Sequence, residues 1–435
     1  MASGVRAETA ARAAEALAGL RTRIAGAERA WHAALFATLL LLALTLFLGR
    51  LPLPLGLDFG YRSCARNVAL VVLAGALAGV PAFRWRASSI ARSFALFATV
   101  ATASVVAAGE RTSAVLLLWS ALGVFHAIRL LARDDAGRTL VLHVLGLATV
   151  AVLARELWND PLLVLLQEQR RFGLVSEHPN TLGFAFALLT PLFVAATVGA
   201  RPRERRAACV YAACGATIVL ATFSRAAWLG LAGATLVLLV GVAPPSAAAW
   251  RARLAGAVAS FVAAAGAAGC LSITRIEADV QRLRIAATSL SLFREHWALG
   301  IGFGSAPLER HFPARYLEQW GESLFPFHSH NLYVDVLTGT GVAGAVAALA
   351  LLWSLLRTAR DGIARANGPA EHARALGNAA VLGVLLTIGL ADMPLYHGRL
   401  LILVAVAWAL LESDAVRRSG ARAHKSSSDS APRSA

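Results

Sequence analysis

Residues Phe327-His328-Ser329-His330-Asn331 bring two imidazoles, a hydroxyl and an amide to the edge of an apolar stretch of membrane length, 331–356. A neutral imidazole accepts a proton from a sugar hydroxyl near pH 7, so His330 is suited to general-base work. Asn331 can orient the ring or an acceptor. The alternative is a histidine that only caps a helix or reaches for the interface. Polar and ionisable groups at the mouth of a membrane helix are costly to keep, which favours a use for them. Nearby arginines disfavour the imidazolium and would keep such a base neutral.

Three arginines have a matching chemistry. Arg225 opens an apolar stretch with hardly any loop before it, and its planar fork of donors suits diphosphate oxygens. Such a group also stabilises charge growing on a departing phosphate. Arg282 and Arg284 allow the same reading, but two residues apart on a helix they diverge, so only one need face a site. The rival reading for all three is an ordinary arginine at a membrane boundary. His178 and Asn180 flank Pro179 before another apolar block, where helix capping by Asn180 or Thr181 is the alternative to a supporting role. Asp392, Tyr396, His397 and Arg399 form a further polar cluster, with Tyr396 as a supporting candidate.

Several motifs lead elsewhere. Gly339-x-Gly341-x-x-Gly344 has dinucleotide-fingerprint spacing but no preceding strand, so close packing through small residues explains it better. Asp134-Asp135 lies among arginines, and the histidines lack zinc-ligand spacing in sequence. The expectation is no metal and no cofactor. Cys64, Cys209, Cys214 and Cys270 show no disulfide or metal spacing and read as small apolar residues.

Elements of a definite kind must position these groups. The 435-residue chain is 57% hydrophobic and 15% charged, whereas soluble proteins carry about 25% charged residues. Its apolar blocks are long enough to cross a ~30 Å hydrocarbon core as helices. The expected fold is an all-α polytopic membrane protein with about twelve transmembrane helices near 31–49, 66–83, 90–108, 113–131, 139–154, 181–199, 207–223, 225–242, 253–272, 331–356, 377–394 and 398–412. The net charge of +16 is scattered between these blocks, which argues for membrane topology and against nucleic acid.

With the N-terminus inside, most basic residues fall in cytoplasmic segments, both ends are cytoplasmic, and every unusual polar cluster faces outward. The division is a cytoplasmic N-terminal segment (1–30), helices 1–9 (31–272), one large periplasmic loop with an interfacial helix near 279–299 (273–330), helices 10–12 (331–412) and a disordered cytoplasmic tail (413–435). Chemistry outside the cytoplasm has no ATP, so it needs a donor already activated and delivered in the membrane.

Together these residues resemble the O-antigen ligases, within the wider O-antigen ligase and polymerase superfamily. The resemblance rests on His330-Asn331, nine residues, then Gly341-Val342-Ala343-Gly344. It extends to the stretch from Arg282 to the Gly300-Ile301-Gly302-Phe303-Gly304 turn, to Ser224-Arg225-Ala226-Ala227-Trp228, and to His178-Pro179-Asn180-Thr181-Leu182-Gly183. Trp297 departs from the usual proline before the turn and Ala286 from a common aromatic, which bears on loop packing more than on chemistry. The resemblance covers roughly residues 150–410 and implies a GT-C-like membrane glycosyltransferase in the bacterial inner membrane, facing the periplasm.

Its donor would be polysaccharide on undecaprenyl diphosphate, and its acceptor a core-sugar hydroxyl of lipid A-core. His330 maps to the base, Arg225 and Arg282 to diphosphate binding. Two alternatives stay in the same superfamily, a polysaccharide polymerase and an O-linked protein glycosyltransferase. A third, from another class, is a transporter of an anion or lipid-linked glycan. Against that one stands the lack of inverted halves and of polar residues at the bilayer centre.

Overall fold

The computed structural model describes residues 88–110, 113–159, 178–241, 276–326, 328–396 and 400–414. The expected spans at 31–49, 66–83 and 253–272, the N-terminal segment and most of the tail lie outside these residues. Among the described residues every regular element is helical: α1 (Ser89–Ala107), α2 (Ser113–Leu131), α3 (Asp135–Asn159), α4 (Pro179–Ala196), α5 (Pro202–Ala221), α6 (Arg225–Gly241), α7 (Ile276–Glu295), α8 (Ser305–Trp320), α9 (Leu332–Ala364) and α10 (Pro369–Gly389). A 3-10 turn at Pro394–Tyr396 and α11 at 400–414 follow.

Six of these helices, α1 to α4 with α9 and α10, are long and apolar enough to cross a membrane. The helix α5 is not among them, because Arg203, Glu204, Arg205 and Arg206 crowd its first turns. The apolar α6 is shorter, at 17 residues.

Helix starts follow local chemistry. The Ser88 hydroxyl accepts from the Ala91 N–H at 2.8 Å to cap α1. Pro202 and Pro369 sit at the first positions of α5 and α10, where a missing N–H is harmless. A short second helix in the long loop, α8, was not expected. It begins after Gly304 and ends at Gly321, whose φ of 73° makes the left-handed stop that glycine favours. Arg310 on α8 lies 2.8 Å from the buried Glu110 carboxylate just past α1, tying this loop helix to the bundle.

The core centres on α4, which packs on α5, α6 and α10. A Cβ at Gly230 would come within 2.8 Å of Ile388, and one at Gly233 within 2.7 Å of Thr387, so α6 and α10 approach through bare backbone. On the other side α1 packs on α9, with Phe94 edge-on to Trp408 and Phe97 edge-on to Phe303. At the end of the bundle away from the polar loop, Asp414 meets Arg138 at 2.7 Å and Asn378 at 2.9 Å, while Glu412 meets Ser88 and Arg129. Breaking a buried pair of this kind is far costlier than never having made it.

The helix α9 corrects one expectation. The glycine run inside it does more than allow packing: the helix breaks at Gly341, with φ 64° and ψ −164°. A break at membrane depth frees carbonyls and N–H groups that lipid cannot satisfy. The turn at 297–302 satisfies them. Ile301 and Gly302 donate to the Thr338 and Gly339 carbonyls at 3.0 Å each, and Val342 and Ala343 donate to the Trp297 and Ala298 carbonyls at 2.8 and 3.2 Å. The Ser104 hydroxyl adds a second donor to the Gly339 carbonyl at 2.7 Å. The loop between α7 and α8 is thereby stitched, backbone to backbone, into a membrane helix.

Candidate active site

Above this seam, residues 328–331 lead into α9. Asn331 is the N-cap: its side-chain oxygen accepts from Tyr333 and Val334 N–H at 3.0 and 3.1 Å, and its amide donates to the Leu390 carbonyl at 3.1 Å. These bonds commit the side chain to holding α9 against the end of α10. Ser329 N–H donates to both oxygens of Asp335 at 3.0 and 3.2 Å. Asp335 is 2% exposed, one turn into α9. With both neighbours pinned, His330 is held at φ 57°, a left-handed conformation uncommon outside glycine. Strain of this kind persists only where the surroundings over-determine it.

His330 faces Asp392, with Nδ1 3.8 Å from Oδ1, and its ring lies 4.2 Å from that of His328. Asp392 is 4% exposed. It accepts from Met393 N–H at 2.8 Å and from the Asn180 amide at 3.2 Å. Three chain segments, at 178–180, 328–331 and 392, meet around this carboxylate. The cap of α4 is His178, whose Nδ1 accepts from Asn180 N–H at 3.3 Å, so the Asn180 side chain is turned to Asp392 rather than to its own helix.

Burial pushes the His330 imidazole below its ordinary value; Asp392 opposes this, and Arg282 and His178 add to it. The arginine effect expected from the sequence is present, but burial is the larger cause. A base acts in its neutral form, so its activity rises with pH through its pKa. With that pKa lowered, the acid limb of a pH–rate profile should fall below the ordinary histidine value of 6.5. Rates measured from pH 5 to 8 would show it. A limb centred above 6.5 would contradict the assignment.

The three side chains His328, His330 and Asp392 bring one possible ligand atom each within 4.8 Å of the others, a gathering not visible as sequence spacing. The hydrogen bonding works against a cation there. His328 Nδ1 accepts from His330 N–H at 3.1 Å. In the neutral ring the proton therefore sits on Nε2, the nitrogen 3.6 Å from Asp392. A metal would need that nitrogen bare.

Arg225 follows a tight turn in which Phe223 has φ 48°. Its two terminal nitrogens donate to the two oxygens of Asp279 at 2.9 and 2.7 Å. Arg282, one turn further along α7, lies 3.7 Å from the same carboxylate. The two arginines, 57 positions apart in sequence, thus converge on one point, and Arg282 bears on His330. Arg284 points elsewhere, pairing with Glu322 at 2.9 Å and lying 5.0 Å over the Trp320 ring on α8. The backbone of Tyr396 belongs to the 3-10 turn after Asp392; its side chain, His397 and Arg399 lie outside the described residues. Asp279 and Asp392 are the groups that the motifs did not single out. Asp279 is one of several acids in a charge-balanced segment and Asp392 one member of the polar cluster before α11, and only the fold shows which basic side chains each meets.

The match of one family model, described as O-Antigen ligase, covers residues 210–349. That stretch contains Arg225, Asp279, Arg282, the 297–302 turn, His330 and the break in α9. No curated protein matches the chain.

Proposed function

With residues 210–349 carrying the O-antigen ligase match, which supports ligase/polymerase function in a multi-pass bacterial membrane protein, we propose that this chain is an O-antigen ligase. It transfers polysaccharide from undecaprenyl diphosphate to a core-sugar hydroxyl of lipid A-core, on the periplasmic side of the inner membrane. Twelve spans with both ends cytoplasmic, and the 273–330 segment outside, complete this reading. One observation carries it: a half-buried histidine in the left-handed backbone region is within electrostatic reach of Arg282, which shares one carboxylate with Arg225 of another helix.

In the reaction the acceptor hydroxyl oxygen attacks the anomeric carbon, and the bond from that carbon to the diphosphate breaks. His330 Nε2 takes the hydroxyl proton. Asp392 on the Nδ1 side orients the ring and stabilises the imidazolium as it forms, the task of a buried carboxylate beside a catalytic histidine. Hydrogen bonds of this sort are often long until substrate is bound. Arg225 and Arg282 meet the charge that builds on the leaving diphosphate, in place of a metal. A single direct displacement inverts the anomeric centre.

Purified protein reconstituted with undecaprenyl-diphosphate-linked glycan and lipid A-core tests this directly. The expected product is glycan on lipid A-core, in equal yield with chelator present. Longer chains left on the polyprenyl carrier would mean a polymerase instead. Movement of the lipid-linked glycan with no covalent transfer would mean a transporter.

A further inference from the structure

Arg225 and Arg282 are already occupied by an anion, and it is one of the protein's own. The Asp279 carboxylate engages Arg225 with both oxygens, at 2.7 and 2.9 Å. This fork-to-fork arrangement is the one by which guanidinium recognises phosphate. Arg282 stands at 3.7 Å, close enough for attraction but too far for a hydrogen bond. An incoming diphosphate and Asp279 cannot both use the same Arg225 donors. The trio carries one net positive charge with Asp279 in place and two without it.

We infer that Asp279 is a resident counter-anion in the diphosphate seat, holding the arginine pair while the donor is absent and giving way when it binds. This rests on the proposed role of Arg225 and Arg282. Two features fit a carboxylate that moves. Its side chain is 38% exposed while that of Arg225 is 17% exposed, so the carboxylate is the partner with more room to turn away. It also lies in the first turn of α7, where rotation about its side-chain bonds leaves the helix intact.

Displacing Asp279 costs every anion the same amount, and that cost is useful. Singly charged phosphodiester headgroups surround the protein in any bilayer and would otherwise fill two neighbouring guanidiniums. A uniform cost leaves such weak ligands unbound, while a diphosphate, with its second charge for Arg282, still seats. The same carboxylate would return to the arginines as the spent carrier leaves.

The test is binding of farnesyl diphosphate to the full chain in nanodiscs, with Asp279→Asn, Asp279→Glu and Arg225→Ala beside the wild type. Replacing a charged competitor by a neutral one should tighten binding roughly tenfold in Asp279→Asn. The Asp279→Glu variant keeps the anion and should stay within about twofold of wild type. Unchanged or weaker binding in Asp279→Asn, with Arg225→Ala still impaired, would overturn the inference alone and make Asp279 an aligning partner. Full binding by Arg225→Ala would instead remove the diphosphate role of the arginines, and the inference with it.

Discussion

His330→Ala should lower the rate of glycan transfer by roughly 10²- to 10⁴-fold, the usual cost of losing a positioned general base. The expectation rests on where the ring is held. A histidine kept at φ 57° between a pinned serine and a capping asparagine makes no contribution to helix capping that Asn331 does not already make. Its Nδ1 is buried against Asp392 and its charged form is disfavoured by burial, both suited to a neutral base. His328 is the control. Its Nδ1 accepts a backbone hydrogen bond and its Nε2 faces Asp392, so neither nitrogen is left to take a substrate proton. His328→Ala should therefore cost far less than His330→Ala. Transfer within a few-fold of wild type in His330→Ala, or the reverse ranking of the two variants, would remove His330 as the base.

Gly341→Ala should detach the long loop from the membrane helix. At φ 64°, ψ −164° the residue occupies a backbone region that is essentially reserved for glycine. A Cβ there would also lie 2.4 Å from the carbonyl carbon and oxygen of Ala298, and backbone cannot step aside as a side-chain tip can. The conformational strain alone is worth about 1–3 kcal/mol, and the clash adds to it. Gly300 repeats the argument from the other strand of the seam, with φ 73° and a would-be Cβ 2.4 Å from the Gly339 carbonyl carbon. Both variants should lower the melting temperature and open the 276–326 segment to protease. Wild-type melting and wild-type protease resistance in Gly341→Ala would show that the seam does not hold the loop.

Among the described residues, six helices apolar enough to cross a membrane were legible as long apolar blocks bounded by polar residues, and α7 was legible because its apolar positions recur with helical spacing. Other parts could not be read so directly. The helix α8 is polar on average and has Pro313 inside it, so periodicity is weak there. Its stops at Gly304 and Gly321 were the available signal. The run Gly339 to Gly344 fits close helix packing and a broken helix equally well, and what decides is a turn some forty residues upstream that supplies the missing hydrogen bonds. Among the site residues, His330, Arg225 and Arg282 stood out by type and place. Which of Arg282 and Arg284 turns toward His330 depended on α8, since Trp320 and Glu322 draw Arg284 away. Asp392 and Asp279 carry no motif, and their surroundings come from segments far apart in the chain.

The break in α9 also sets a depth. After Gly341 the apolar run ends at Leu356, before Arg357, Arg360 and Asp361, and so spans only about 22 Å at 1.5 Å per residue, short of a ~30 Å hydrocarbon layer. The piece before the break, Leu332 to Thr340, is then needed to complete a crossing, which puts the Gly341 seam inside the span and residue 330 at its mouth. On the reading proposed above, His330 and the arginine pair would stand near the level of the membrane's own phosphates. A phosphate tethered to a long lipid, the donor proposed above, would then arrive there by sideways diffusion alone, with no lifting from the bilayer and no search through the solution above it.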